Sequence, residues 1–156
     1  SDLRRQRQMC IRDSNNMKLS SKGRYAVMAL ADLAKFDPNE PVSLRDISLR
    51  QGISLVYLEQ LFSRLKKNNI VNSVRGIKGG YVLSKEASSI KISDILFAVD
   101  EKVKTIGCEK HSKKGCNGKT AKCITHDLWD ELEDYINNFF EKKSLRDLLN
   151  QSTNRL

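Results

Sequence analysis

The sequence predicts a mainly α-helical protein that carries one small β-hairpin, and three observations support this fold class. Apolar residues recur at helical spacing in six segments between Met17 and Leu149. Two short β-forming runs, IVNSV at 70–74 and YVLS at 81–84, flank the glycine-rich connection RGIKGG. The length of 156 residues fits one compact domain with a long helix appended to it.

Two helices are predicted ahead of residue 53. The first begins at Ser20 or Ser21 and ends before DPNEP, where the prolines interrupt the helix. Its predicted inner face consists of Tyr25, Met28, Ala29 and Leu33. Ser43 caps the second helix, Asp46 faces the free amides of its first turn, and Gly52 ends it. A tight turn is expected after Gly52.

The third helix, SLVYLEQLFSRLKKNN, follows its cap Ser54 and is amphipathic. Its predicted buried stripe is Leu55, Leu58, Leu61, Phe62 and Leu65. The other face carries Val56, Tyr57, Glu59, Gln60, Arg64 and Lys67. Two helices joined by a short glycine-containing turn form a helix-turn-helix, whose second helix lies in the major groove of DNA. We therefore predict DNA contacts at Ser54, Val56, Tyr57, Glu59, Gln60 and Arg64.

The hairpin that follows this recognition helix is predicted to be the wing of a winged helix. Its tip carries Arg75, Gly76 and Lys78, which we predict to contact DNA. The two cations would reach phosphates or enter a narrow minor groove, where negative potential is enhanced. Glu59 is expected either to be plain surface or to accept a hydrogen bond from cytosine N4 and so select this base.

The charge balance agrees with a polyanionic partner. The formal net charge is +9, and residues from 17 onward keep +7, with 24 basic and 17 acidic residues. Residues 1–16 lack periodicity, and we expect them to be a non-native, disordered leader outside the fold. No run is apolar enough for a membrane span, which predicts a cytoplasmic protein. Paired carboxylates, a phosphate loop and a nucleophile triad are not recognisable, so no enzymatic activity and no small-molecule substrate are expected.

The carboxy-terminal part predicts three further helices. ISDILFAVDE at 92–101 is amphipathic, Thr125 caps a long helix, and SLRDLL at 144–149 forms a short closing helix. The long helix has an apolar side made of Leu128, Leu132, Tyr135, Ile136, Phe139 and Phe140. That side either completes the core of its own chain or forms a homodimer interface. We favour the homodimer, because DNA-reading proteins commonly bind paired half-sites.

Three of the four cysteines and both histidines lie between residues 108 and 126. The candidate ligands Cys108, Cys116, Cys123 and His126 are separated by seven, six and two residues. Three thiolates and one imidazole hold either a 2Fe–2S cluster or a structural zinc ion. The absence of a C-x-x-C pair favours the cluster, while zinc, free thiols or disulfides remain alternatives. A less favoured alternative is a thiol redox or metal-transfer enzyme in which His126 is the base beside Cys123.

The predicted organisation is a leader at 1–16, a winged-helix domain at 17–101, a cluster-binding loop at 102–126 and dimerisation and closing helices at 126–152. MKLSSKGRYAVMALADLA, ISLVYLEQLFSRLKKN, SVRGIKGGYVL, AVDE and CITHDLW resemble the IscR/NsrR family of winged-helix transcription regulators. The resemblance implies a bacterial homodimer that binds operator DNA and whose 2Fe–2S cluster reports iron–sulfur status. It implies repression of cluster-assembly genes, cluster ligation by Cys108, Cys116, Cys123 and His126, and DNA contacts at Ser54, Tyr57, Glu59, Gln60 and Arg75. The intervals between the cysteines are longer here than is typical of that family.

Overall fold

The computed structural model describes residues 19–103 and 124–154 of the chain. It contains six α-helices and one two-stranded antiparallel sheet within these residues. The helices are α1 (Ser21–Leu33), α2 (Leu44–Gln51), α3 (Leu55–Lys67), α4 (Ile92–Ala98), α5 (His126–Lys142) and α6 (Leu145–Thr153). The strands are β1 (Val71–Val74) and β2 (Gly80–Leu83), and a short 3-10 helix covers Ala87–Ser89.

The chain divides into two compact units. One consists of residues 19–102 and 138–156, and the other contains 103–137 together with the amino terminus. The first unit carries the hydrophobic core, whose largest fully buried side chains include Phe62, Leu30, Ile47, Leu61 and Ile95. The mainly helical fold with one hairpin predicted from the sequence is therefore confirmed.

The ends of α2 follow from its cap residues. The Ser43 hydroxyl accepts a hydrogen bond from the Asp46 amide at 3.1 Å, so one amide of the first turn is satisfied. Gly52 follows α2 with φ of 64°, a left-handed conformation that glycine adopts without steric cost. The Ser48 hydroxyl then donates to the Ile53 carbonyl at 2.6 Å, which fixes the turn into α3.

The hairpin strands pair with each other, and one edge of the hairpin is covered by another segment. β1 and β2 pair in the register Val71↔Leu83 to Val74↔Gly80. The outer edge of β2 is covered by Val42, whose amide and carbonyl bond Tyr81 at 3.0 and 2.8 Å. A Cβ on Gly80 would lie 2.3 Å from the Val42 carbonyl oxygen, so only glycine allows this close approach.

The closing helix α6 packs into the same unit as α1. Its start is a capping box in which the Ser144 hydroxyl accepts from the Asp147 amide, and the Asp147 carboxylate accepts from the Ser144 amide. The Lys143 carbonyl accepts from the Ile92 amide, which joins the start of α4 to the residue ahead of this cap. Leu145 is fully buried and anchors α6 in the core.

Some predicted details differ in the structure. Leu55 was expected in the buried stripe, but it is 38% exposed at the first residue of α3, and the buried stripe begins at Leu58. Met28 is also on the rim rather than inside, and Ala26 and Leu30 take the inner positions of α1. The described helices include none that is long and apolar enough to cross a membrane.

Candidate nucleic-acid interface and metal ligands

The recognition face of α3 is outward, as the sequence predicts. Ser54, Val56, Glu59 and Gln60 are exposed at the amino-terminal half of the helix. Tyr57 is half-buried, because its ring packs edge-on against Tyr25 of α1 at 5.9 Å between centroids. The tyrosine hydroxyphenyl group is thereby held by the helix behind α3. Side chains near it on the outer face remain accessible to a partner.

The helix is fixed from the inside by an apolar stripe. Leu58, Leu61, Phe62 and Leu65 are all buried, and this stripe packs into the core of the unit. The ring of Phe62 also contacts the ring of Tyr81 on β2 at 5.0 Å between centroids. The recognition helix and the hairpin are therefore packed against each other, which places the wing beside α3.

The wing tip consists of residues 75–79. Arg75, Gly76, Ile77 and Lys78 are exposed, and Gly76 has φ of 131°, which a side-chain-bearing residue rarely adopts. The Gly79 amide donates to the Gly76 carbonyl at 3.0 Å and closes the turn. Two cations thus flank an apolar side chain, Ile77, that is fully exposed to solvent. Sequence reasoning identified the cations but not Ile77, although an apolar residue between cations at a wing tip is itself an unusual pattern.

A buried carboxylate supports the turn that precedes the recognition helix. Asp32 of α1 is only 2% exposed, and it accepts hydrogen bonds from the Arg50 guanidinium at 2.7 and 3.0 Å and from the Gln51 amide at 2.6 Å. The Arg50 guanidinium also lies over the Phe36 ring at 4.6 Å. These contacts hold the last residues of α2, which lead through Gly52 into α3.

The electrostatics of this contact keep Asp32 ionised. Burial alone would raise the pKa of Asp32, but the hydrogen bonds from Arg50 and Gln51 and the positive charge of Arg50 outweigh it. The net result is a pKa below the ordinary value for an aspartate. The same contact raises the pKa of Arg50 above its ordinary value, chiefly through the hydrogen bond to Asp32. The pair is therefore a charged clamp between α1 and α2.

Arg64 is exposed on α3, but its guanidinium is engaged with another element. Its Nη1 donates to the Val99 carbonyl at 3.3 Å, just beyond the end of α4. The Asn68 side-chain amide donates to the Ala98 carbonyl at 3.4 Å and to the Arg64 carbonyl at 2.9 Å. Sequence reasoning placed Arg64 with the DNA-facing residues because a charged outer face looks the same in sequence whether it meets solvent, DNA or a neighbouring carbonyl.

The predicted metal ligands are described only in part. Cys108, Cys116 and Cys123 lie outside the described residues. His126 is the first residue of α5 and is 4% exposed. The described residues contain no group of three metal-binding side chains. A buried imidazole three residues after Cys123, in a donor set of three thiolates and one imidazole, fits a 2Fe–2S cluster or zinc.

These elements define a class of protein. A helix-turn-helix with a polar outer face, followed by a hairpin fixed beside it, is a winged-helix reading head, and its solved neighbours are transcription regulators. The neighbours include T. potens IscR, with a TM-score of 0.69, 35% identity and coverage of 88% of this chain and 89% of that chain. They also include CymR, the global cysteine regulator of B. subtilis, with a TM-score of 0.70, 30% identity and coverage of 84% and 95%.

The family follows from the sequence comparisons. The family model Rrf2, described as iron-dependent transcriptional regulator, matches residues 19–151. The HTH-type transcriptional regulator IscR of Photorhabdus laumondii is 53% identical over 134 residues, covering 86% of this chain and 80% of the relative. IscR of Escherichia coli O1:K1 / APEC is also 53% identical, covering 86% and 81%. The chain belongs to the Rrf2 family. It is a DNA-binding transcription regulator and not an enzyme.

Proposed function

We propose that this protein is a homodimeric bacterial regulator that represses cluster-assembly genes and that adjusts DNA binding with the state of a 2Fe–2S cluster. The observation that carries the proposal is the similarity to IscR regulators across 86% of the chain, combined with the buried His126 at the predicted ligand position. The protein would act in the cytoplasm, at the nucleoid.

The proposed DNA contacts follow the geometry of the reading head. Ser54, Val56, Tyr57, Glu59 and Gln60 lie at the amino-terminal half of α3, the part of a recognition helix that faces base edges. Arg75, Gly76 and Lys78 would contact the adjacent backbone or minor groove from the wing tip. A DNA contact by Arg64 stays a prediction, because its guanidinium donates to the Val99 carbonyl.

Glu59 is the proposed base selector. It is exposed on the outer face of α3, where a carboxylate repels phosphate. The carboxylate contributes to binding only where a base presents a hydrogen-bond donor to it. Cytosine N4 is such a donor in the major groove. Replacing Glu59 by Ala should relax the preference for one base pair, by about 1–3 kcal/mol, while binding to unrelated DNA strengthens or stays unchanged. DNA selection with both proteins measures this.

The proposed cluster ligands are Cys108, Cys116, Cys123 and His126. When bound, a 2Fe–2S cluster supplies a redox-active centre whose presence depends on iron and sulfide supply. His126 would be held by its position at the start of α5, where a buried imidazole cannot turn into solvent. Neutral imidazole and ionised thiols are the ligand forms. Cys108, Cys116 and Cys123 would supply the three thiolates of this ligand set.

The proposed dimer interface is the apolar stripe of α5. Leu128, Tyr135 and Phe139 are 57%, 69% and 55% exposed, and they recur at the spacing of one helix face. An exposed row of large apolar side chains on a long helix marks an association surface. A second copy of the chain is the proposed partner, because two reading heads would then engage the two halves of a palindromic operator.

Anaerobic purification tests the cluster directly. We expect visible absorption together with two irons and two sulfides per chain, as the cluster stoichiometry requires. Replacing Cys116 by Ala should abolish the colour and leave a folded dimer that still binds some DNA. A colourless wild-type protein with one zinc per chain would refute the cluster and support a zinc-stabilised regulator. Unfolding of the Cys116→Ala protein would show that the centre is structural and not sensory.

A further inference from the structure

The segment that follows α4 is held by two other elements of the same unit. We call residues 98–101, the sequence AVDE, the α4 exit. Its Val99 and Ala98 carbonyls accept hydrogen bonds from Arg64 and Asn68, at the carboxy-terminal end of the recognition helix. Cys108, the first proposed cluster ligand, follows Glu101 by seven positions in the sequence. The exit therefore adjoins the proposed cluster loop in sequence and the recognition helix in space.

The first residues of the α1 region hold the exit from a second direction. The Ser20 amide donates to the Glu101 carboxylate at 3.1 Å, and the Ser20 hydroxyl donates to its other oxygen. Lys22 donates to the Asp100 carbonyl at 3.3 Å. A Cβ on Gly23 would lie 2.9 Å from both the Glu101 Cγ and the Leu96 Cδ2, so the helix and the exit are in close contact there.

The backbone of the exit has a defined shape. Asp100 has φ of 57°, in the left-handed region that non-glycine residues adopt uncommonly. The Asp100 amide donates to the Phe97 carbonyl at 3.1 Å and the Glu101 amide donates to the Leu96 carbonyl at 2.9 Å, which is the Schellman arrangement at a helix end. Val99 is fully buried. Backbone hydrogen bonds and burial therefore fix the conformation of this junction.

We propose that the α4 exit couples the cysteine segment to the recognition helix, with Arg64 and Asn68 as the positioning residues that make the connection. This inference rests on the proposed cluster function. Gain or loss of the proposed cluster shifts the exit, and the hydrogen bonds from Arg64 and Asn68 carry this shift to the last turn of α3. Coupling between two sites requires such an element, whose position both sites bias.

The role of Arg64 then differs from that of the other cations on α3. A contact between Arg64 and a phosphate would raise DNA affinity equally in the cluster-loaded and cluster-free forms. A contact between its guanidinium and the Val99 carbonyl would instead change the ratio between the affinities of these two forms. Lys67 offers a matched comparison, because it is an exposed cation one turn further along the same helix.

The test compares Arg64→Met with Lys67→Met. Each substitution removes one positive charge from α3 and keeps most of the aliphatic side chain. The affinity for an operator selected with wild-type protein is measured by fluorescence anisotropy, in the cluster-loaded and cluster-free forms of each full-length protein. Allosteric ratios of about 5-fold to 150-fold are typical. We expect Arg64→Met to bring the ratio of operator affinities between the cluster-loaded and cluster-free forms at least about fivefold closer to 1. We expect Lys67→Met to change both affinities by the same factor, so that their ratio stays the same.

A second variant tests the exit from another side, and a second measurement does not depend on loading the protein with a cluster. Gly23→Ala crowds the side chains of Glu101 and Leu96 from the α1 side and leaves the contacts of α3 unchanged, and we expect it to reduce the same ratio. Hydrogen exchange on the cluster-free protein should show faster exchange of the Asp100 and Glu101 amides in Arg64→Met than in Lys67→Met.

The outcomes separate the two proposals. If the wild-type ratio is 1, cluster sensing fails and the coupling fails with it. If the wild-type forms differ and both Arg64→Met and Gly23→Ala keep the full ratio, the α4 exit is not the coupling element, while cluster sensing stands. Equal weakening of both forms by Arg64→Met, with a lower salt dependence, would identify Arg64 as a phosphate contact and overturn its positioning role.

Discussion

The helices α3 and α5 are both amphipathic, yet they use their apolar faces in opposite ways. α3 buries Leu58, Leu61, Phe62 and Leu65 completely and presents polar side chains outward. α5 keeps large apolar side chains such as Leu128 and Tyr135 exposed along its length. The apolar stripe of α3 completes the core of its own unit, whereas that of α5 keeps Leu128, Tyr135 and Phe139 exposed. Amphipathic periodicity thus predicts a helix in both cases but not the partner of its apolar face.

The largest expected effect comes from the inner face of α3. Replacing Leu61 by Ala leaves a cavity in a fully packed core and should lower the free energy of unfolding by about 2–5 kcal/mol. Denaturant unfolding followed by circular dichroism measures this. The matched substitution Leu128→Ala should have an effect that varies with protein concentration, because association stabilises by mass action. Equal, concentration-independent losses in both variants would contradict the contrast between the two helices.

The support beneath α3 can be broken at the buried clamp. Asp32→Asn removes the charge that Arg50 and Gln51 bind and should destabilise the protein by about 1–3 kcal/mol at neutral pH. Because the pKa of Asp32 is lowered in the folded state, its contribution is present above the unfolded value of 3.8. It is lost as the pH falls below that value through the folded pKa.

Unfolding free energies measured between neutral and acid pH test this assignment. The difference between wild type and Asp32→Asn should shrink as the pH falls below about 4. Glu59→Gln, which changes an exposed carboxylate on α3, serves as the control and should leave stability within about 0.5 kcal/mol. If the difference in unfolding free energy between wild type and Asp32→Asn did not change with pH, the charge of the Asp32 carboxylate would not be what stabilises this contact.

Substitutions in the exposed apolar stripe of α5 should weaken dimer association rather than destabilise the folded chain. Tyr135→Ala should weaken the proposed dimer by about tenfold or more, since buried tyrosines are frequent hot spots of interfaces. Sedimentation equilibrium measures the dissociation constant. Asn137→Ala, on the opposite side of the same helix, should leave it unchanged. If neither substitution changes the constant, the stripe of α5 is not the interface.

The sequence predicts local features well because they depend on nearby residues. The cap at Ser43, the left-handed Gly52 and the hairpin around RGIKGG are all present as expected. The Asp32 clamp was not predictable, because its residues are 18 and 19 positions apart and only tertiary packing brings them together. The engagement of Arg64 was missed for the same reason. Periodicity identifies an exposed cation but not the carbonyl it binds.

The smallest expected effect separates two serines that occupy the same kind of position. Ser43 caps α2 through its hydroxyl, so Ser43→Ala should cost about 1 kcal/mol of stability. Ser54 stands at the same position of α3, but within the described part of the chain its hydroxyl makes no cap hydrogen bond. Ser54→Ala should therefore change the free energy of unfolding by less than about 0.5 kcal/mol.

The same pair distinguishes folding from recognition. Because the Ser54 hydroxyl is not used to stabilise its helix, it remains available to an outside partner at the end of α3 that faces DNA. Operator affinity, measured beside thermal unfolding, should fall for Ser54→Ala and stay unchanged for Ser43→Ala once both proteins are fully folded. If Ser54→Ala lowered stability and left operator affinity unchanged, Ser54 would stabilise the fold and would not contact DNA. The contrast between inward and outward side chains would then not extend to the start of the recognition helix.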